Sequence, residues 1–135
     1  MKSLALPACV TLTLVLTSCA GSADGAVVVE SPNGTVAASS SDAEGGDALF
    51  TGALTLNRAG CWAIRDESDD VVTVIWPAGT VATADGLQVP GVKALKEGAE
   101  VAGSGGEVAA DEFPNVTDAC GAAGHVLQFW AVREE

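Results

Sequence analysis

The sequence predicts a mostly β domain over residues 47–135, a small six-stranded barrel or, alternatively, a β-sandwich. Short runs of alternating apolar and polar residues, separated by Gly and Pro turns, are typical of half-buried strands. Helical periodicity is weak. The aromatic residues that could form a core all follow position 46: Phe50, Trp62, Trp76, Phe113, Phe129 and Trp130.

The first three strands are predicted to form a meander. Residues 49–57 alternate, and residues 61–65 form the second run. The charged turn 66–70 leads into residues 71–76, which are apolar on both faces, as expected of a central strand. Pro77 ends this strand because proline has no N–H to donate.

Two further strands are predicted at residues 81–84 and 87–89. Asp85 and Gly86 separate them, and both residue types tolerate the positive φ of a tight hairpin turn. The two strands are therefore expected to pair directly with each other.

The C-terminal part is predicted to contain two strands and one helical turn. Residues 96–101 indicate a turn that feeds a strand, and the glycines within 103–106 indicate a bend or bulge. Pro114 at a first helical position and Gly121 after the last one delimit the helical turn. The final strand is predicted at residues 126–132.

The N-terminus has the layout of a secretory signal peptide. Lys2 supplies a positive charge, and residues 4–16 are apolar without a charged residue. This run is shorter than the roughly 20 residues that span a bilayer, so a signal peptide is favoured over a transmembrane helix.

A short motif follows this apolar run: Leu16-Thr17-Ser18-Cys19. It resembles the lipobox of bacterial lipoproteins, with an aliphatic residue, two small residues and a cysteine that receives lipid. The resemblance implies a signal peptide over residues 1–18, a mature chain that begins at lipidated Cys19, and an anchor on the extracytoplasmic face of the cell membrane.

Two alternatives compete with lipidation at Cys19. Cys9 follows a similar short motif, but too few residues precede it to form an apolar region of roughly 7 to 15 residues. A soluble secreted protein, cleaved after a small residue near Ala20 or Ala23, is the other alternative.

Residues 19–46 are predicted to form a flexible acidic tether. The segment is rich in Gly, Ser, Ala and acidic residues and contains no aromatic residue, so it cannot bury enough surface to order itself. Asn33-Gly34 between valine-rich runs is a hairpin signal, but an isolated hairpin is marginal in water. We therefore expect only transient strand character in this tether.

The charge of the chain argues against nucleic-acid binding. There are 18 Asp and Glu residues against 6 Lys and Arg, which gives a formal net charge of -12. Affinity for a phosphate backbone requires clustered basic residues that release counterions, so nucleic acid is excluded as a predicted partner.

Cys61 and Cys120 are predicted to form a disulfide bond. They are the two cysteines left after signal removal and lipidation, and exported proteins favour disulfides. The alternative is a free nucleophilic or metal-binding thiol, but His125 is the only histidine and no second ligand pair is evident. No metal or other cofactor is therefore predicted.

No catalytic constellation is evident. His125 could act with a serine, but Ser68 and Ser104 lie in turns without a nucleophile-elbow motif, and a half-exposed structural role is favoured. The three tryptophans could form a carbohydrate platform, although their positions in apolar strands favour core packing.

The acidic turn 66–70 could hold Ca²⁺ through Asp66, Asp69 and Asp70. It lacks the glycine and the bidentate glutamate of a calcium loop, so a solvated turn is favoured. Scattered carboxylates also leave a glycosidase-type pair open, because sequence cannot give their separation.

The meander, the strand opened by residues 97–101 and the glycines at 105 and 106 resemble OB-like barrels. Together with the lipobox and Trp76-Pro77, they also resemble small actinobacterial lipoproteins of unknown function. We therefore expect a membrane-anchored, non-enzymatic module that binds an envelope partner or small ligand. A carboxylate-based glycan hydrolase is the first alternative, and a weak Ca²⁺ binder is the second.

Overall fold

The structure, a computed structural model, describes residues 25–41 and 46–135. This part of the chain contains a 3₁₀ helix (Ala110–Glu112), the helix α1 (Pro114–Cys120) and ten strands. The strands are β1 (Ala26–Val29), β2 (Val36–Ser39), β3 (Ala48–Leu56), β4 (Trp62–Arg65), β5 (Val71–Trp76), β6 (Val81–Ala82), β7 (Gly86–Gln88), β8 (Leu95–Lys96), β9 (Glu100–Ala109) and β10 (His125–Glu134).

Five strands close into a barrel in the order β3-β4-β5-β10-β9 and back to β3. The pairs are antiparallel except that β5 and β10 run parallel. β3 can serve two neighbours because its first half pairs with β9 and its second half with β4. The mostly β fold predicted from the sequence, with a small barrel and the meander β3-β4-β5, is confirmed; the barrel itself has five strands.

The bulge predicted near the glycines of β9 lies instead on the partner strand. The register between β9 and β10 shifts between Phe129 and Ala131, so Trp130 is the extra residue. β9 continues without a bulge at its glycines. These glycines leave room for β10, since a Cβ at Gly103 would lie 2.4 Å from the Phe129 ring. The glycines serve close packing within the barrel.

The segment predicted as a tether contains two strands of the main sheet, and the flexible-tether prediction is wrong for residues 25–41. β1 and β2 form a hairpin, and β2 extends the sheet by pairing in parallel with the end of β5. Ala26, Val36 and Ala37 are each at most 2% exposed. The hairpin would be marginal by itself, but β5 supplies the apolar partner that orders it, and the composition of the segment does not reveal this partner. The rest of the predicted tether, residues 19–24 and 42–45, lies outside the described residues.

The predicted pair of strands at 81–89 exists, but it lies outside the barrel. β6, β7 and β8 form a separate three-stranded sheet, in which β6 pairs with β7 as expected. With this sheet and the N-terminal hairpin, the described residues contain more strands than the six predicted. Leu87 and Leu95 of the small sheet pack against the barrel core.

The described part of the chain has two apolar cores. The first fills the barrel, where Trp76 meets the Phe129 ring edge-on with centroids 5.7 Å apart. The second lies outside the barrel, between α1 and the outer face of β2 and β5, around Ile75 and Val116. The core interpretation of Trp62 and Trp76 is confirmed, and Trp130 is half-buried.

Candidate ligand-binding site

The outer face of β4 and β5 forms the floor of an open cleft. Alternate residues of these strands point away from the barrel, so Arg65, Val71 and Thr73 lie on the outside while Ile64 and Val74 lie in the core. The β3–β4 turn forms one wall, and residues 120–123, at the C-terminal end of α1, form the other. The cleft has a volume of about 700 Å³, within the usual range for small-molecule sites.

The cleft is lined by basic side chains and by no described carboxylate. Arg58, Arg65 and His125 line it, whereas acidic residues outnumber basic ones threefold in the chain. Within the described residues, neither arginine forms an ion pair. We call this feature the basic cleft.

Asn57 holds the two walls of the basic cleft together. Its Nδ2 donates hydrogen bonds to the Thr73 Oγ1 and to the Cys120 carbonyl oxygen, both at 3.0 Å. Its Oδ1 accepts hydrogen bonds from the backbone N–H groups of Ala59 and Cys61. One side chain therefore connects the β3–β4 turn, the floor and the end of α1.

The predicted disulfide bond is present in the structure. The sulfur atoms of Cys61 and Cys120 are 2.06 Å apart, and both residues are buried. Cys61 immediately precedes β4 and Cys120 is the last residue of α1, so the bond fastens the helix to the barrel beside the basic cleft.

A second cleft of about 580 Å³ adjoins the basic cleft across His125 and Val72, which line both. We call it the acidic cleft, because Asp66, Glu67 and Glu107 line it over an apolar floor that includes Phe50. The fold thus brings together carboxylates whose separation the sequence could not give. Within the described residues, no tryptophan lines this cleft, so it lacks a carbohydrate-stacking platform.

The acidic turn between β4 and β5 is organised by its own first residue. Asp66 Oδ1 accepts hydrogen bonds from the backbone N–H groups of Ser68 and Asp70, at 2.8 and 3.0 Å. Asp69 adopts a φ of 66°, which closes the turn. In the described part of the chain, no three His, Cys, Asp or Glu side chains are grouped so that they could hold a metal ion.

His125 lies at the border of the two clefts with an exposed side chain. Its Nδ1 is 3.7 Å from a carboxylate oxygen of Glu107. No hydrogen bond within the described residues joins it to Ser68, which lines the acidic cleft, or to Ser104, which lies on β9. The structure therefore brings no serine into hydrogen-bonding contact with His125.

Sequence reasoning missed Arg58, Arg65, Asn57 and Thr73. Arg58 and Arg65 are two of only six basic residues, and they lie just before and at the end of the second predicted strand, so their closeness to one strand was visible in the sequence. That they meet residues 120–123 could not be read from the sequence, because the contact depends on how α1 folds back over β5.

Cys19, the predicted lipid-attachment residue, lies outside the described residues. Among the residues that are described, no helix is long and apolar enough to cross a membrane. No protein-family model, curated protein or solved structure matches this chain.

Proposed function

We propose that this protein is a membrane-anchored lipoprotein whose barrel is a non-enzymatic binding module of the cell envelope, with the basic cleft as its binding site. The observation that carries the proposal is the convergence of Arg58, Arg65 and His125 on one cleft without a carboxylate. Exposed arginine side chains over a rigid sheet are suited to hold a ligand or partner.

The anchor in this proposal is Cys19, within the motif Leu16-Thr17-Ser18-Cys19. Attachment there places the barrel at the extracytoplasmic face of the cell membrane, with an envelope partner or a small ligand within reach and nucleic acid disfavoured by the net charge of -12.

The arrangement of the acidic cleft supports binding over glycan hydrolysis. A glycosidase needs one carboxylic acid that stays protonated, and burial is what usually keeps it so. The side chain of Glu107 is 57% exposed, and Oδ1 of Asp66 is occupied by two backbone N–H groups.

Metabolic labelling with a fatty-acid analogue tests the anchor. Cys19→Ala is expected to abolish labelling and to move the protein out of the detergent phase. Cys9→Ala is the matched control and is expected to keep both properties. Labelling that persists in Cys19→Ala would contradict the anchor.

Photo-crosslinking in intact cells tests the binding site. A photoreactive side chain at Ala123, an exposed residue of the basic cleft, is expected to give a ligand or partner adduct. The same group at Ala84, an exposed turn residue elsewhere, is the control. Adducts that are equal from both positions, or absent from Ala123, would refute the site.

Hydrolysis is tested on peptidoglycan and on soluble glycan polymers. No turnover is expected. Turnover that disappears in Glu107→Gln would overturn the binding proposal in favour of the enzyme.

A further inference from the structure

The basic cleft presents two arginines that nothing in the described chain neutralises. Arg58 stands in the β3–β4 turn and Arg65 at the end of β4, and both side chains are exposed. Within residues 25–41 and 46–135, the sole ion pair is His125 with Glu107. Both guanidinium groups are therefore available to a ligand.

The backbone on which these arginines stand is rigid. Arg65 is paired on both sides, opposite Ala53 of β3 and Val71 of β5. The turn that carries Arg58 is closed by the hydrogen bonds of Asn57 Oδ1. A site on paired strands and a fixed turn loses little entropy when it binds, because its backbone is already ordered.

We propose that the basic cleft binds a compact anion, a carboxylate or phosphate group, through Arg58 and Arg65. The inference rests on the proposed binding function and names the ligand chemistry. A guanidinium group donates two parallel N–H bonds that match the oxygens of either anion. The buried Thr73 on the cleft floor adds a hydroxyl group, whose Oγ1 accepts from Asn57 and whose own proton has no acceptor among the described residues.

The neighbouring acidic cleft favours a compact anion over an extended one. The acidic cleft starts at His125 and Val72, the residues that the two clefts share. Its carboxylates are those of Asp66, Glu67 and Glu107. An extended polyanion that left the basic cleft on this side would meet like charges and be repelled. A single anionic group, or one at the end of a neutral molecule, meets only the basic residues.

Titrations of the isotope-labelled full chain in detergent micelles, followed by NMR, test the inference. The probes are glycerol 3-phosphate and succinate, with glycerol as the uncharged control. We expect saturable shifts of amide signals in residues 57–59 and 121–123 with at least one anionic probe and none with glycerol.

Charge-removing variants identify the residues that bind. Arg58→Gln and Arg65→Gln are each expected to raise the Kd of the probe by about tenfold or more. This is the usual loss of affinity when one charged hydrogen-bond donor is removed. Arg133→Gln on β10, outside the basic cleft, removes the same charge and is expected to change Kd less than twofold. Unchanged spectra elsewhere verify that each variant is folded.

The outcomes separate this inference from the proposed function. Equal weakening by Arg133→Gln would reduce the effect to overall charge and overturn the inference. Failure of both anionic probes to bind, with adducts still formed from Ala123, would overturn the ligand class and leave the binding function standing. If a short-chain phosphatidylglycerol monomer binds at least tenfold more tightly than glycerol 3-phosphate, the anion is a lipid headgroup; equal affinity supports a soluble phosphate.

Discussion

The side-chain Nδ2 of Asn57 lies 3.0 Å from the carbonyl oxygen of Cys120, a residue 63 positions later in the chain. This hydrogen bond joins the β3–β4 turn to the end of α1, directly beside the Cys61–Cys120 disulfide bond. A covalent and a polar connection thus hold the same two segments, and these segments are the walls of the basic cleft.

Asn57→Ala is expected to lower the free energy of unfolding by about 2–6 kcal/mol, because four hydrogen bonds are lost and each contributes about 0.5–1.5 kcal/mol. Urea denaturation measures this change. Arg58→Ala, at the adjacent exposed position, is the control and is expected to stay within about 0.5 kcal/mol of wild type. Equal stability of the two variants would contradict the bridging role of Asn57.

Loss of the disulfide bond is expected to destabilise the fold strongly. It links residues 59 positions apart, and a closed loop of that length restricts the unfolded chain by about 4 kcal/mol. Cys61→Ala with Cys120→Ala is therefore expected to lower Tm by about 15 °C or more. Calorimetry measures the shift, and added reductant is expected to lower the Tm of the wild type by a similar amount while leaving the double variant unchanged. Free thiols on both residues in the unreduced protein would show that the bond is absent.

The glycines of β9 provide a test of barrel packing within one strand. A Cβ at Gly105 would lie 1.8 Å from the Gln128 carbonyl oxygen, whereas a Cβ at Gly106 meets nothing within 4 Å. Gly105→Ala is expected to cost about 2–4 kcal/mol, because the backbone of β10 must move. Gly106→Ala is expected to change stability by less than about 1 kcal/mol. The closure of the barrel at this position would be disproved if both variants unfolded at the same urea concentration.

The N-terminal hairpin is expected to be part of the cooperative fold. Ala37→Asp places a carboxylate at a position that is 1% exposed and is expected to destabilise the protein by at least about 3 kcal/mol. Val29→Asp introduces the same carboxylate on β1 at a position that is 53% exposed and is expected to cost at most about 1 kcal/mol.

Limited proteolysis gives an independent measurement of the hairpin. Residues 25–41 are expected to resist cleavage in wild type and to become sensitive in Ala37→Asp. Rapid cleavage within 25–41 of the wild-type protein would restore the tether interpretation for this segment.

Local features were predictable because their causes are local. Pro77 ends β5, Pro114 starts α1 and Gly121 ends it with a φ of 63°, each through its own backbone restrictions. The pairing of Cys61 with Cys120 followed from there being no other pair in the predicted mature chain. The strands of the barrel were predictable from the alternation of apolar and polar residues, because each residue's polarity reflects whether its own side chain is buried or exposed.

Two features, the N-terminal hairpin and the basic cleft, were decided only by the tertiary structure, because each depends on contacts between segments that are distant in sequence. β1 and β2 carry too little apolar surface to order themselves, and they are strands because β5 offers an edge next to Ile75. The basic cleft exists because α1 and the disulfide bring residues 120–123 over Arg65. No local pattern encodes either contact, since each arises from packing energy shared between segments that are far apart in the chain.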